Sequence, residues 1–172
     1  MEIESRLLVG VNVSDAPNDK GQLKPTLEAV SPVIESVEAV LVDSGFYSAA
    51  AVVGVEQPSE GKAGPMIYAA TGRKTHGRTV QELEQRADPP APGPEASIKE
   101  RMKHRLETKQ GRELYALRKQ TIEPIFGIIK ETLGFRRFSL RGLNNVRTEW
   151  TLVTLAYNFK RLFHIGSAPL AA

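Results

Sequence analysis

The chain has 172 residues, 41% of them hydrophobic, with 23 Lys+Arg against 20 Asp+Glu and no cysteine. That length favours a single domain around one core. With no cysteine and no basic-then-apolar start in MEIESRLLVG, nothing suggests a disulfide framework or secretion, and no apolar run nears the roughly 20 residues that cross a bilayer. A cytoplasmic protein without a membrane partner is expected. The charge is split: residues 1–95 carry 8 Lys+Arg and 14 Asp+Glu, net −6, whereas residues 96–172 carry 15 and 6, net +9. A basic half of this kind reads either as a nucleic-acid surface or as a set of solvated helix faces.

In chain order, Arg6–Val13 (RLLVGVNV) reads as a strand ending in the turn SDAPND, and the helical spacing of Leu23, Leu27, Val30 and Ile34 predicts a helix over 22–37, interrupted by Pro25 and Pro32. Ala39–Val42 is a short apolar strand running into Asp43-Ser44-Gly45, the kind of strand end at which α/β sheets present functional side chains. A short helix is expected over Ser48–Glu56 and a buried strand over Pro65–Ala70, followed by the polar loop TGRKTHGRT. The segment DPPAPGPE, residues 88–95, excludes regular structure because each proline fixes φ and lacks an amide. Helices follow at about 97–109, 112–133 with a disturbance at Pro124, and 142–163. The layout is a strand/helix part over about 1–87, a proline-rich breaker and a helical part over about 96–165, hence an α/β or α+β domain with a mixed sheet.

Two tempting motifs fail. GKAG at Gly61 lacks the glycine spacing of a phosphate loop and has Ala63 where a Ser or Thr should bind the metal. His76, His104 and His164 have no metal-ligand spacing and read as surface residues. In the last helix, Leu143, Val146, Trp150, Val153 and Tyr157 form one apolar stripe, which makes Trp150 a core residue.

The stretch from Tyr115 is the informative one: on a helix, Tyr115, Ile122, Phe126 and Lys130 fall near one side with Arg118 and Glu123 beside it. Glu123 and Arg118 could be an ordinary exposed pair. The order of residue types, however, resembles the signature of bacterial insertion-sequence DDE transposases, in which a tyrosine, an arginine, the catalytic glutamate and a lysine follow one another; these correspond to Tyr115, Arg118, Glu123 and Lys130. Downstream GFRRFSLRGL and the helix with Glu149, Trp150, Leu155, Ala156 and Asn158 are similar to the closing segment of these enzymes. VDSGFYS resembles their second-aspartate motif, and ESRLLVG and APNDKGQL resemble their earlier strands and helix entry.

The resemblance implies an RNase H-like mixed sheet flanked by helices, Asp43 and Glu123 as catalytic metal ligands for a two-ion Mg²⁺ or Mn²⁺ site, and double-stranded transposon-end DNA as the partner, with a homo-oligomer as a further option. Two ions roughly 3.5–4 Å apart suit strand cutting and joining, and hard cations take carboxylate oxygens. Tyr115, Arg118, Lys130, Arg136, Arg137 and Arg141 are then the candidate DNA contacts, each with a structural alternative. Two departures stand out: the Arg118–Glu123 spacing is one residue longer than the common form, and Pro124 puts Glu123 at a kink or in a first helical turn. The family's first aspartate lies upstream of the region that ESRLLVG resembles, so the expectation is an N-terminally truncated fragment, inactive alone, with Asp15 and Asp19 as loop or cap residues. The alternatives are a DNA-binding remnant without catalysis and an inert truncated gene product.

Overall fold

The computed structural model describes residues 1–58, 63–72 and 87–167. Gly61, His76 and most of the TGRKTHGRT loop lie outside the described residues. The architecture is mixed α/β, with helix predominant. The chain divides into two compact units. Unit 1 comprises residues 1–17, 25–35 and 119–172, and unit 2 residues 18–24 and 36–118.

Unit 2 is built on two parallel strands, β1 (Ala39–Val42) and β2 (Met66–Ala69), with Val40 opposite Ile67 and Val42 opposite Ala69. Both were expected from their apolar runs. Helix α2 (Ala49–Glu56) follows β1, and its N-cap Ser48 accepts a hydrogen bond from the Ala51 amide. Helix α3 (Ile98–Glu107) begins with a capping box in which Ser97 and Glu100 satisfy each other's backbone amides. The proline-rich stretch before it has no helix or strand. Val52 and Val55 of α2, Ile67 and Ala69 of β2, and Met102 and Leu106 of α3 form the buried interior.

A polar clamp completes β2. The Glu56 carboxylate accepts from the Ile67 amide at 2.8 Å, while Arg105 donates both to Glu56 and to the Ile67 carbonyl. An ion pair thereby takes the backbone groups that a further strand would otherwise pair with.

Unit 1 departs from two expectations. The expected helix over 22–37 shrinks to α1 (Leu23–Glu28), which contributes residues to both units, and Val30 instead forms an isolated antiparallel bridge with Gly10. The expected strand Arg6–Val13 does not form, and this bridge is its only strand pairing among the described residues. Proline explains both. Pro25 is tolerated in a first helical turn, whereas Pro32 holds Ser31 extended and has no amide to continue the ladder beyond the Ser31 N to Val9 O bond of 2.7 Å.

The last helix, α5 (Leu143–Gly166), serves the extended segment in place of a neighbouring strand. The Asn158 side-chain amide both accepts from Leu8 N and donates to Leu8 O, each at 2.9 Å. Tyr157 Oη donates to Arg6 O at 3.0 Å, Arg161 Nε to Ser5 O at 2.7 Å and Arg147 Nε to Val13 O at 3.0 Å. Beneath them lies a core of Ile125, Ile129 and Tyr157, with Trp150 and Val153 packed against it, as the stripe predicted.

Helix α4 (Lys109–Gly127) runs through Pro124 as helix, so Glu123 is an interior helix residue and not one of the first turn. The change comes later, in a π-helical turn at Ile128–Thr132. The element then stops at Gly134, whose φ of +72° is a left-handed conformation that suits glycine, and the Phe135 amide returns to the Ile129 carbonyl at 3.1 Å.

Candidate functional site

Asp43 is the first residue beyond β1. Its extended backbone lets the carboxylate cap the short 3-10 turn Ser44–Phe46, with Oδ1 accepting from Ser44 N at 2.6 Å and from Ser44 Oγ at 3.3 Å. The other oxygen, Oδ2, lies 3.9 Å from Arg118 Nη1. The Asp43 side chain is 62% exposed and that of Arg118 only 18%, so the carboxylate faces solvent with a largely covered cation beside it.

Tyr115, almost one turn before Arg118 on α4, donates from its hydroxyl to the Val42 carbonyl at 3.0 Å. The Arg118 guanidinium lies over the Tyr115 ring, 5.6 Å from its centroid. Burial pushes the Tyr115 phenol above its ordinary pKa, against the opposing pull of Arg118 and of a hydrogen bond with the Ala70 backbone. Since Val42 ends β1 and Ala70 follows β2, Tyr115 sits at the carboxyl ends of both parallel strands, the usual location of binding residues on such sheets. Asp19 approaches the same turn: a Cβ added to Gly45 would stand 3.1 Å from Asp19 Oδ2. Its place in SDAPND gave no sign of this, because the contact depends on tertiary folding.

Three of the predicted residues, Asp43, Tyr115 and Arg118, are therefore brought together within unit 2. Glu123 is exposed on the part of α4 that belongs to unit 1, and Lys130 is exposed in the π-helical turn. Arg136, Arg137 and Arg141 are exposed on the loop before α5, with Arg136 paired to Glu131. Among the described residues, no group of three or more His, Asp or Glu gathers as metal ligands.

Sequence reasoning gave no role to the side chain that holds this arginine loop. The Glu149 carboxylate accepts from the Ser139 amide at 2.8 Å and the Leu140 amide at 3.0 Å. These bonds, Leu140's first, hold its pKa below the ordinary carboxylate value. A carboxylate ten residues beyond a serine-containing loop is too common a pattern to have marked it.

The family likeness falls on the helical half. Residues 91–163 match the family model described as Transposase DDE domain. This segment is similar to the DDE domain of transposases. The DDE match covers α3, α4 and most of α5, and so includes Tyr115, Arg118, Glu123, Lys130 and the arginine loop, while Asp43 lies outside it. No curated protein and no solved structure matches the chain. Among the described residues, no helix is long and apolar enough to cross a membrane.

Proposed function

We propose that the chain is part of the catalytic domain of a DDE transposase with an RNase H-like fold, acting in metal-dependent cleavage and strand transfer of transposon-end DNA. In this reading Asp43 and Glu123 are two of its carboxylate ligands. The observation that supports it best is the meeting of two motifs far apart in sequence: the helix with the tyrosine and arginine of the signature rests on the end of the strand that carries the aspartate.

The Asp43 carboxylate fits Mg²⁺ or Mn²⁺ in donor type and exposure, although it alone is not a ligand set. When bound there, such ions would supply activation of an attacking oxygen and stabilisation of a leaving one. The chain's own residues have separate tasks. Asp43 offers Oδ2, Tyr115 fixes α4 on the strand end, and Arg118 balances the carboxylate and can pair with a DNA phosphate through its fork. Lys130 and the loop arginines add positive charge along the DNA.

Titration with Mn²⁺, followed by paramagnetic broadening of amide signals, tests the shared site. Broadening of Asp43, Ser44 and Glu123 at the same Mn²⁺ concentration, lost in Asp43→Asn, is expected. A Glu123 signal that stays sharp while Asp43 broadens would rule out a common site. A second reading, DNA binding without chemistry, draws on the exposure of Arg136, Arg137 and Arg141. Salt-dependent DNA affinity combined with no Mn²⁺ broadening at Asp43 favours it.

A further inference from the structure

Unit 1 contains a pocket of about 170 Å³ whose polar lining includes Arg6, Lys160, Arg161 and His164, over a floor that includes Ile125 and Tyr157. The sequence reading gave none of these four basic residues a binding role. Tyr157, Lys160, Arg161 and His164 recur at i, i+3, i+4 and i+7 on α5, which puts them on one face of the helix.

Arg6 joins them from the extended segment, and its placement is unusual. Its φ of +58° makes it the only non-glycine residue with positive φ among those described, a conformation that arginine rarely adopts. Its carbonyl is held by the hydroxyl of Tyr157, a residue only 3% exposed. Arg161 is tied beside it through Nε to Ser5 O, a bond that uses only one of its five N–H donors. Among the described residues, no carboxylate forms an ion pair with Arg6, Lys160 or Arg161. Three permanent cations around one pocket repel each other unless an anion sits between them.

We propose that this pocket is a phosphate-binding site that takes one backbone phosphate of DNA. Arg6 and Arg161 supply planar forks and Lys160 a point charge, a combination suited to the several oxygens of one phosphate group. The apolar floor accepts the carbon side of the attached sugar. The proposal rests on the DNA reading for the source of the phosphate, but not for the chemistry of the pocket.

The experiment uses the full chain and two probes. A fluorescein-labelled duplex of arbitrary sequence is titrated over a range of salt concentrations, and inorganic phosphate is titrated separately while the ring signals of His164 are followed by NMR. The variant is Arg6→Asn with Lys160→Gln, since asparagine tolerates the left-handed backbone. Arg136→Ala, Arg137→Ala, Arg141→Ala is the control that leaves the pocket intact.

The proposal expects phosphate to shift the His164 signals of the wild type and the control, but not of the pocket variant. It also expects the pocket variant to bind duplex several-fold more weakly, with a salt slope shallower by about one. A phosphate response with unchanged duplex binding would overturn the DNA source and leave a site for free phosphate-bearing small molecules. A wild type that binds no duplex but keeps the phosphate response would overturn the DNA reading alone. If neither probe distinguishes the variant from the wild type, the pocket is not a phosphate site. Should the double variant lose its helical circular dichroism, Lys160→Gln alone, at an exposed helix position, gives the same two readouts.

Discussion

Tyr115 fixes α4 against β1 through a single hydrogen bond to the last carbonyl of the strand, while its ring supports Arg118. Replacement by phenylalanine keeps the ring and removes this bond together with the one to the Ala70 backbone, leaving Val42 O short of a donor. The expected cost is about 1 kcal/mol, read as a lower urea midpoint with an unchanged slope. The phenol also reports on its surroundings. Because burial raises its pKa above the ordinary 10.0, its contribution to stability is complete below that pH and is lost as pH rises through the folded-state value. Phenolate absorbance should therefore show a late-titrating component that Tyr115→Phe removes. An unchanged alkaline titration in the variant would mean that Tyr115 is not buried at the strand end.

At the scale of elements, α4 and the arginine loop each give a prediction. Pro124 has no amide for the Gln120 carbonyl one turn back, and proline inside a helix costs about 3 kcal/mol relative to alanine. Pro124→Ala restores the donor but also frees the unfolded chain, by up to about 1 kcal/mol. A net gain of about 2 kcal/mol is expected, and a lower thermal midpoint would show instead that the proline ring is needed for packing. For the loop, Glu149→Gln should increase hydrogen exchange at the Ser139 and Leu140 amides several-fold. The same bonds should weaken in the wild type at low pH: a depressed carboxylate stabilises above its unfolded pKa, near the ordinary 4.5, and the effect is lost as pH falls through the folded value. Identical exchange in Glu149→Gln and wild type would dismiss the clamp.

Across the whole molecule, the sequence was most legible where a pattern is local. β1, β2, α3, α4 and α5 follow from apolar runs, the Ser97–Glu100 box and helical stripes, and Asp43, Tyr115 and Arg118 came from ordered motifs. Legibility ended where side chains replace a ladder. Arg6–Val13 has a strand's composition, yet part of its backbone is bonded by the side chains of Tyr157, Asn158 and Arg147, which no periodicity could reveal. Helix α5 illustrates the same limit in its packing. Its spacing offers two apolar stripes, and only burial shows that Trp150 and Val153 pack inward while Leu152, Leu155, Phe159 and Leu162 stay exposed.

The bonds between the extended segment and α5 also set an order of assembly. Tyr157 and Arg6 are 151 residues apart, whereas Val40 and Ile67, which face each other in β1 and β2, are about 27 apart. Closing the longer loop costs about 1.5 kcal/mol more in chain entropy, close to tenfold in rate. During synthesis, all of unit 2 can leave the ribosome before the helix that completes unit 1 has been translated. In refolding with pulsed hydrogen exchange, the Ile67 amide should gain protection before the Leu8 amide does. Simultaneous protection of both would mean that α5 closes on the first residues as quickly as the two strands find each other. Until that closure the apolar residues of the RLLVGVNV segment lack the cover of α5, which makes the newly made chain more prone to aggregate than its finished form.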